Sequence, residues 1–117
     1  MAPRILLVDD EVTLRHIAAR ALRLEDYEVV EACDGIEAWD LAREHRFDLV
    51  ITDSRMPRLS GSDLVRRLRA LHPTLPILRI SGSHGSGSEE MSTGLRTLYK
   101  PFNIDDLTQT VRSMMAW

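Results

Sequence analysis

The chain has a single cysteine, Cys33, so it cannot form an internal disulfide. A reducing compartment is therefore expected, and a lone thiol of this kind reads as a small hydrophobe rather than a nucleophile. No apolar run approaches the roughly 20 residues that a membrane span requires. Ile5 to Val8, which follows Met-Ala-Pro-Arg, is far too short for the apolar stretch of a secretory leader. Positive charge is not in excess: 15 Lys and Arg stand against 18 Asp and Glu, a formal net charge of -3. That balance gives no global signature of nucleic-acid binding. There is no His/Cys set at zinc-ligand spacing. No linker, second domain or internal repeat is visible beyond an alternation of strand-like and helix-like segments. The expectation is a cytoplasmic protein without nucleic-acid or membrane partners.

What is present suits one folded domain over residues 1–117. At 117 residues, with 44% apolar and 28% charged side chains, the chain can bury a single sizeable core. Ile5 to Val8, Leu49 to Ile51 and Ile77 to Ile80 are short apolar runs, the pattern of strands covered on both faces in a parallel sheet. Tyr27 to Ala32 is more polar and suits an edge strand, and Leu95 to Tyr99 is a fifth strand candidate. Between them, Leu14, Ile17, Ala18, Ala21 and Leu22 follow helical spacing. Ala38, Trp39, Leu41 and Ala42 form a second stripe, and Leu64, Val65, Leu68 and Leu71 a third. Ile104, Leu107, Val111, Met114 and Met115 form the last, with Asn103 as its N-cap. Repeated β-α units with right-handed crossovers imply a parallel sheet. Five units cannot close an eight-stranded barrel, so an open, doubly wound sheet is expected. The Gly/Ser-rich stretch from Ser81 to Ser88, followed by Ser92-Thr93-Gly94, predicts a fourth helix that is short, irregular or mobile.

In such a sheet ligands bind beyond the carboxyl ends of the strands. Asp9 and Asp10 end the first strand, Asp53 the third, Ser81 the fourth and Lys100 the fifth. Three converging carboxylates either take up protons or gather round a cation. An all-oxygen cluster that leaves room for water suits Mg²⁺, whose shell is commonly completed by phosphate oxygens. Lys100 as a point charge and Ser81 as a donor would suit a phosphoryl group. A carboxylate can also be the nucleophile, giving an aspartyl phosphate.

Together, in this order, these residues resemble the receiver domain of bacterial response regulators. The acidic pair is Asp9-Asp10-Glu11; the acceptor segment is Asp53-Ser54-Arg55-Met56-Pro57 with Gly61; Ser81-Gly82 and Lys100-Pro101-Phe102 complete the pattern. The match runs from about residue 4 to residue 115. The resemblance implies a flavodoxin-like sheet of strand order 2-1-3-4-5. It implies that Asp53 takes a phosphoryl group from the phosphohistidine of a histidine kinase or phosphotransfer protein, and that the domain then switches binding to a downstream protein. Asp9, Asp10, Asp53 and the backbone carbonyl of Arg55 would hold Mg²⁺, while Ser81 and Lys100 would hold the phosphoryl oxygens. The Lys100-Pro101 bond would be cis. The domain would not be a conventional enzyme, only a slow catalyst of its own phosphorylation and dephosphorylation. Ser81-Gly82 with a shortened fourth helix is similar to the receiver domains attached to hybrid histidine kinases.

The chain departs from the family three residues before the lysine, where Thr97 replaces the usual Phe or Tyr. Tyr99 is adjacent to Lys100 and should point to the other face. Arg79 interrupts an apolar strand on the same face as Ser81, and a buried unpaired guanidinium is costly. Arg79 is therefore expected to be partly exposed or paired, with Glu89 or Glu90 as candidates. Arg55 and Ser83, each two residues beyond a site residue, are expected to tune phosphoryl hydrolysis. Arg58, Arg66, Arg67 and Arg69 are expected to form a solvated face, and Trp39 to serve packing. Two other functions compete. The haloacid-dehalogenase phosphatases also use an aspartyl phosphate, but they resemble Asp-x-Asp rather than the adjacent Asp9-Asp10. A pseudo-receiver that only binds a partner would not need the intact acceptor, metal and lysine positions.

Overall fold

The computed structural model describes residues 2–56, 58–82 and 94–116. Five strands alternate with helices: β1 (Arg4–Val8), α1 (Val12–Leu24), β2 (Glu28–Ala32), α2 (Gly35–Glu44), β3 (Leu49–Asp53), α3 (Gly61–Leu71), β4 (Ile77–Ser81), β5 (Leu95–Tyr99) and α4 (Ile104–Met115). All strand pairs are parallel, in the order β2-β1-β3-β4-β5. The doubly wound sheet and its expected order are observed. The helix expected between the fourth and fifth strands falls outside the described residues. No helix among the described residues is long and apolar enough to cross a membrane.

Strand periodicity divides the core in two. Ile5, Leu7, Ile51, Leu78 and Ile80 face one side, against Ala19 and Leu22 of α1 and Leu107, Val111 and Met114 of α4. Leu6, Val8, Val50 and Ile77 face the other, against Ala38 and Ala42 of α2 and Leu64 and Leu68 of α3. Burying a side chain the size of Leu or Ile contributes about 1.5–3 kcal/mol, so these two layers provide the main driving force for closing the helices on the sheet.

Helix boundaries follow local chemistry. Asp34 caps α2 by accepting from Glu37 N–H, and Ser60 caps α3 by accepting from Asp63 N–H. Asn103 and Asp106 form a reciprocal capping box at α4, as the Asn103 expectation requires. Gly35 and Gly61 start their helices where there is no room for a side chain. A Cβ on Gly61 would lie 2.1 Å from Asp53 O, and one on Gly35 would lie 2.3 Å from Leu59 O. Trp39 is half-buried against the α2/α3 core, with the Arg43 and Arg67 guanidinium carbons 5.4 and 5.8 Å from its ring centre.

One expectation needs correction. The apolar stripe of α1 is only partly covered: Leu22 is buried, whereas Leu14 and Ile17 are 45% and 48% exposed. Arg79, expected to be partly exposed or paired, is 6% exposed on the interior strand β4 and meets the second alternative. Its Nη2 donates to Thr97 Oγ1 at 3.0 Å. Glu89 and Glu90 lie outside the described residues.

Candidate functional site

Register alone assembles the site. Strand order reverses between β1 and β3, and Val8 pairs with Thr52, so Asp9 and Asp53 emerge side by side. Asp53 pairs with Ile80, placing Ser81 one step beyond on the next strand. Ser81 pairs with Tyr99, and Lys100 follows. Residues far apart in sequence thus meet at the crevice that an open α/β sheet forms at its switch point.

Carboxylate oxygens of Asp9, Asp10 and Asp53 lie within 4.8 Å of one another. Asp53 is buried, Asp9 half-buried and Asp10 exposed, so the cluster faces solvent on one side. Lys100 Nζ lies 3.3 Å from Asp53 Oδ2 and donates to it. Lys100 is the only lysine of the chain, against 14 arginines. Arg55 N–H donates to Asp53 Oδ1 at 3.3 Å. Glu11 N–H donates to Asp9 Oδ1 at 2.9 Å. Burial raises the Asp9 pKa above its ordinary 3.8, and the neighbouring Asp53 and Asp10 charges push it the same way against Glu11 N–H and Lys100. The Lys100-Pro101 peptide is cis.

The floor of the site is fixed from behind. Ser54 N–H donates to Ile80 O at 2.9 Å, and Gly61 N–H to Ser54 O at 3.3 Å, closing the loop after β3 against β4 and α3. Arg58 takes a positive φ of 72° in that loop and its Nη1 donates to Asp34 Oδ2 at 3.2 Å, tying the loop to the α2 cap. The Glu37 N–H bond to Asp34, aided by the Arg58 charge, holds the Asp34 pKa below its ordinary value. This tether was not foreseen, although Asp34-x-x-Glu37 carries the spacing of a helix start. Ser83 lies outside the described residues.

Chemically, three carboxylates beside one ammonium make an oxygen-rich pocket for a hard divalent cation. The buried carboxylate of Asp53 is the one that the lysine ammonium contacts, so negative charge on it or on a group joined to it would meet that ammonium. The donor set fits Mg²⁺ and contains no soft ligand.

Comparison with known proteins gives a consistent picture. Residues 5–112 match the family described as response regulator receiver domain. The response regulator MprA of Mycobacterium sp. (strain KMS) is 38% identical over 120 residues, covering 98% of this chain and 51% of the relative. The chain thus spans about half the length of the curated relatives it matches. Among solved structures, the receiver domain from the hybrid histidine kinase CckA is 39% identical, covers 96% of this chain and 98% of that one, and superposes with a TM-score of 0.83. The receiver domain of a Pseudomonas aeruginosa PAO1 sensor histidine kinase has a magnesium ion coordinated in its active-site cleft. It is 28% identical with full coverage of both chains and a TM-score of 0.87.

Proposed function

The chain belongs to the response regulator receiver domain family of two-component systems, and from that premise we propose that Asp53 is its phosphoryl acceptor. The observation that carries this reading is the meeting of Asp9, Asp10 and Asp53 within 4.8 Å, with Lys100 Nζ 3.3 Å from Asp53. An Asp53 carboxylate oxygen attacks phosphorus; the P–N bond of a partner's phosphohistidine breaks and its electron pair returns to the imidazole. The product is an aspartyl phosphate. Lys100 exchanges its bond to Asp53 for one to a phosphoryl oxygen, and the Ser81 hydroxyl donates to another. The carboxylates of Asp9, Asp10 and Asp53, with the Arg55 carbonyl, would hold Mg²⁺. When bound, that ion supplies positive charge against the oxygens of the transferring group.

The partner is a histidine kinase or phosphotransfer protein, and an apolar surface beside the site supports its docking. Leu14, Ile17 and Ile104 are 45%, 48% and 37% exposed and border a groove of about 430 Å³ between α1 and α4 that Asp9 and Lys100 also line. An apolar rim next to a charged centre suits a helix that presents a phosphohistidine. Residues 1–117 act as a single receiver domain in the cytoplasm, a signalling switch with slow self-phosphorylation and self-dephosphorylation rather than a turnover enzyme.

The test is intact-protein mass after incubation with acetyl phosphate and Mg²⁺, beside Asp53→Asn and a metal-free sample. One base-labile phosphoryl adduct in the wild type, absent from both controls, is expected. An adduct of equal yield on Asp53→Asn would refute the assignment.

A further inference from the structure

The sequence points to no role for Arg15, yet its guanidinium reaches the site from behind. Nη1 donates to the backbone carbonyl of Asp9 at 2.7 Å. Nε donates to Glu31 Oε1 at 3.1 Å, and the two side chains are 11% and 20% exposed. Arg15 is in the first turns of α1; Glu31 is on β2, opposite Leu7 of β1. Glu31 is itself held by Arg23 and His16, each at 3.4 Å. The bridge therefore runs from the edge strand, through one planar fork, to the peptide that joins Asp9 to Asp10.

That peptide is the hinge of the acidic pair. Asp9 N–H is already fixed on Ala32 O at 3.1 Å, and Asp9 Oδ1 on Glu11 N–H. With the carbonyl also fixed, the plane of the Asp9-Asp10 peptide is set, and with it the direction in which the exposed Asp10 leaves the chain. Charge alone gives Arg15 the wrong sign, because a cation behind the cluster opposes a second cation in it. Glu31 offsets that charge while leaving the geometry in place. A charge-assisted fork of this kind is the sort of outer contact that orients metal-binding groups.

We propose that Arg15 is a positioning residue for the metal-binding acidic pair, holding the Asp9-Asp10 peptide in its binding orientation, and that Glu31 acts through Arg15. This rests on the reading of Asp9, Asp10 and Asp53 as a Mg²⁺ site.

The experiment is an NMR-detected Mg²⁺ titration of wild type, Arg15→Met, Arg15→Lys, Glu31→Gln and Arg15→Met/Glu31→Gln. The metal-free carbonyl shift of Asp9 and amide shift of Asp10 are recorded on the same samples, and thermal melting is the control for folding. Arg15→Met is expected to weaken Mg²⁺ binding about tenfold or more. Arg15→Lys keeps the charge but cannot span both partners, so it does not restore affinity. Glu31→Gln weakens binding less, and the double variant no further than Arg15→Met. The metal-free shifts move in every variant while folding is retained. If wild type binds and Arg15→Met binds equally or more tightly, the proposal fails and Arg15 is only a nearby charge. Unmoved metal-free shifts overturn it independently of any metal. If wild type shows no saturable binding, the acidic-cluster reading falls and takes this proposal with it.

Discussion

Arg79 Nη2 donates to Thr97 Oγ1 at 3.0 Å, directly across the β4–β5 ladder in which the two residues are register partners. Thr52 stands opposite Arg79 on the other neighbouring strand, so a polar row crosses one face of an otherwise apolar sheet. Thr97, a departure from the usual aromatic, thus has a physical counterpart in an arginine that also departs from an apolar strand. Thr97→Val keeps the shape and removes the acceptor. It is expected to cost about 1–3 kcal/mol in denaturant unfolding, because a bond to a buried charged donor is lost. In Arg79→Met the same substitution should cost clearly less, and equal costs in both backgrounds would show the bond to be energetically idle.

Gly61→Ala is expected to be severe for a helix-start substitution. The new methyl would meet Asp53 O and Ser54 Cα, both backbone, at 2.1 and 2.7 Å. The α3 start must move away from the acceptor strand, at a cost of about 1–3 kcal/mol or more. Slower Asp53 phosphorylation should accompany the lower melting temperature. An unaltered melting curve would mean that the helix start yields freely.

Asp9 makes stability pH-dependent in the metal-free protein. Its folded pKa is raised above 3.8, chiefly by burial, so the native state binds the extra proton. The favourable contribution is complete below pH 3.8 and is lost as pH rises through the folded pKa. Asp9→Asn should therefore be more stable than wild type at pH 7 without metal, with the difference vanishing in acid. Saturating Mg²⁺ should shrink or reverse that advantage, since the ion stabilises the form that binds it. Melting both proteins across pH, with and without Mg²⁺, checks each sign.

Asp34 behaves oppositely. The Glu37 N–H bond first, and then Arg58, hold its folded pKa below 3.8, so its contribution is complete above pH 3.8 and declines as pH falls through the folded value. Asp34→Ala removes the α2 cap and the Arg58 tether and should cost about 1–2 kcal/mol at pH 7. Asp34→Asn keeps a cap acceptor and should lose less, with its deficit fading in acid. A deficit that persists at low pH would assign the effect to packing instead.

Lys100→Met should slow adduct formation from acetyl phosphate about a hundredfold, as expected when one preorganised positive group is removed from a charged transition state. Mg²⁺ affinity should not weaken, because one cation fewer stands beside three carboxylates. Weaker Mg²⁺ binding in this variant would point to a disturbed cluster rather than a lost charge.

The spacing of apolar runs was enough to place every described strand within about two residues, because a strand covered on both faces has to be apolar almost throughout. The candidate site residues were legible as a group because the crevice lies at strand ends, where a polar residue after an apolar run stands out. Asn103 was legible as a cap for the same local reason. Coverage of α1 was not: helical spacing marks Leu14, Ile17 and Leu22 alike, but only the position of α4 decides that Leu22 is buried and the other two are exposed. The contact of Arg79 with Thr97 was not legible either, because it lies across the sheet and only the β4–β5 register makes the two residues neighbours.

The sequence by itself therefore determined the β-α alternation, the parallel sheet and the identity of the charged groups at its carboxyl edge, since these depend on local periodicity and on residue type. The tertiary structure decided the distances among Asp9, Asp10, Asp53 and Lys100, the burial of Arg79, and the bridge from Glu31 through Arg15 to the Asp9 carbonyl. Those depend on strand order and on which helix covers which face, relations between segments that no local pattern records.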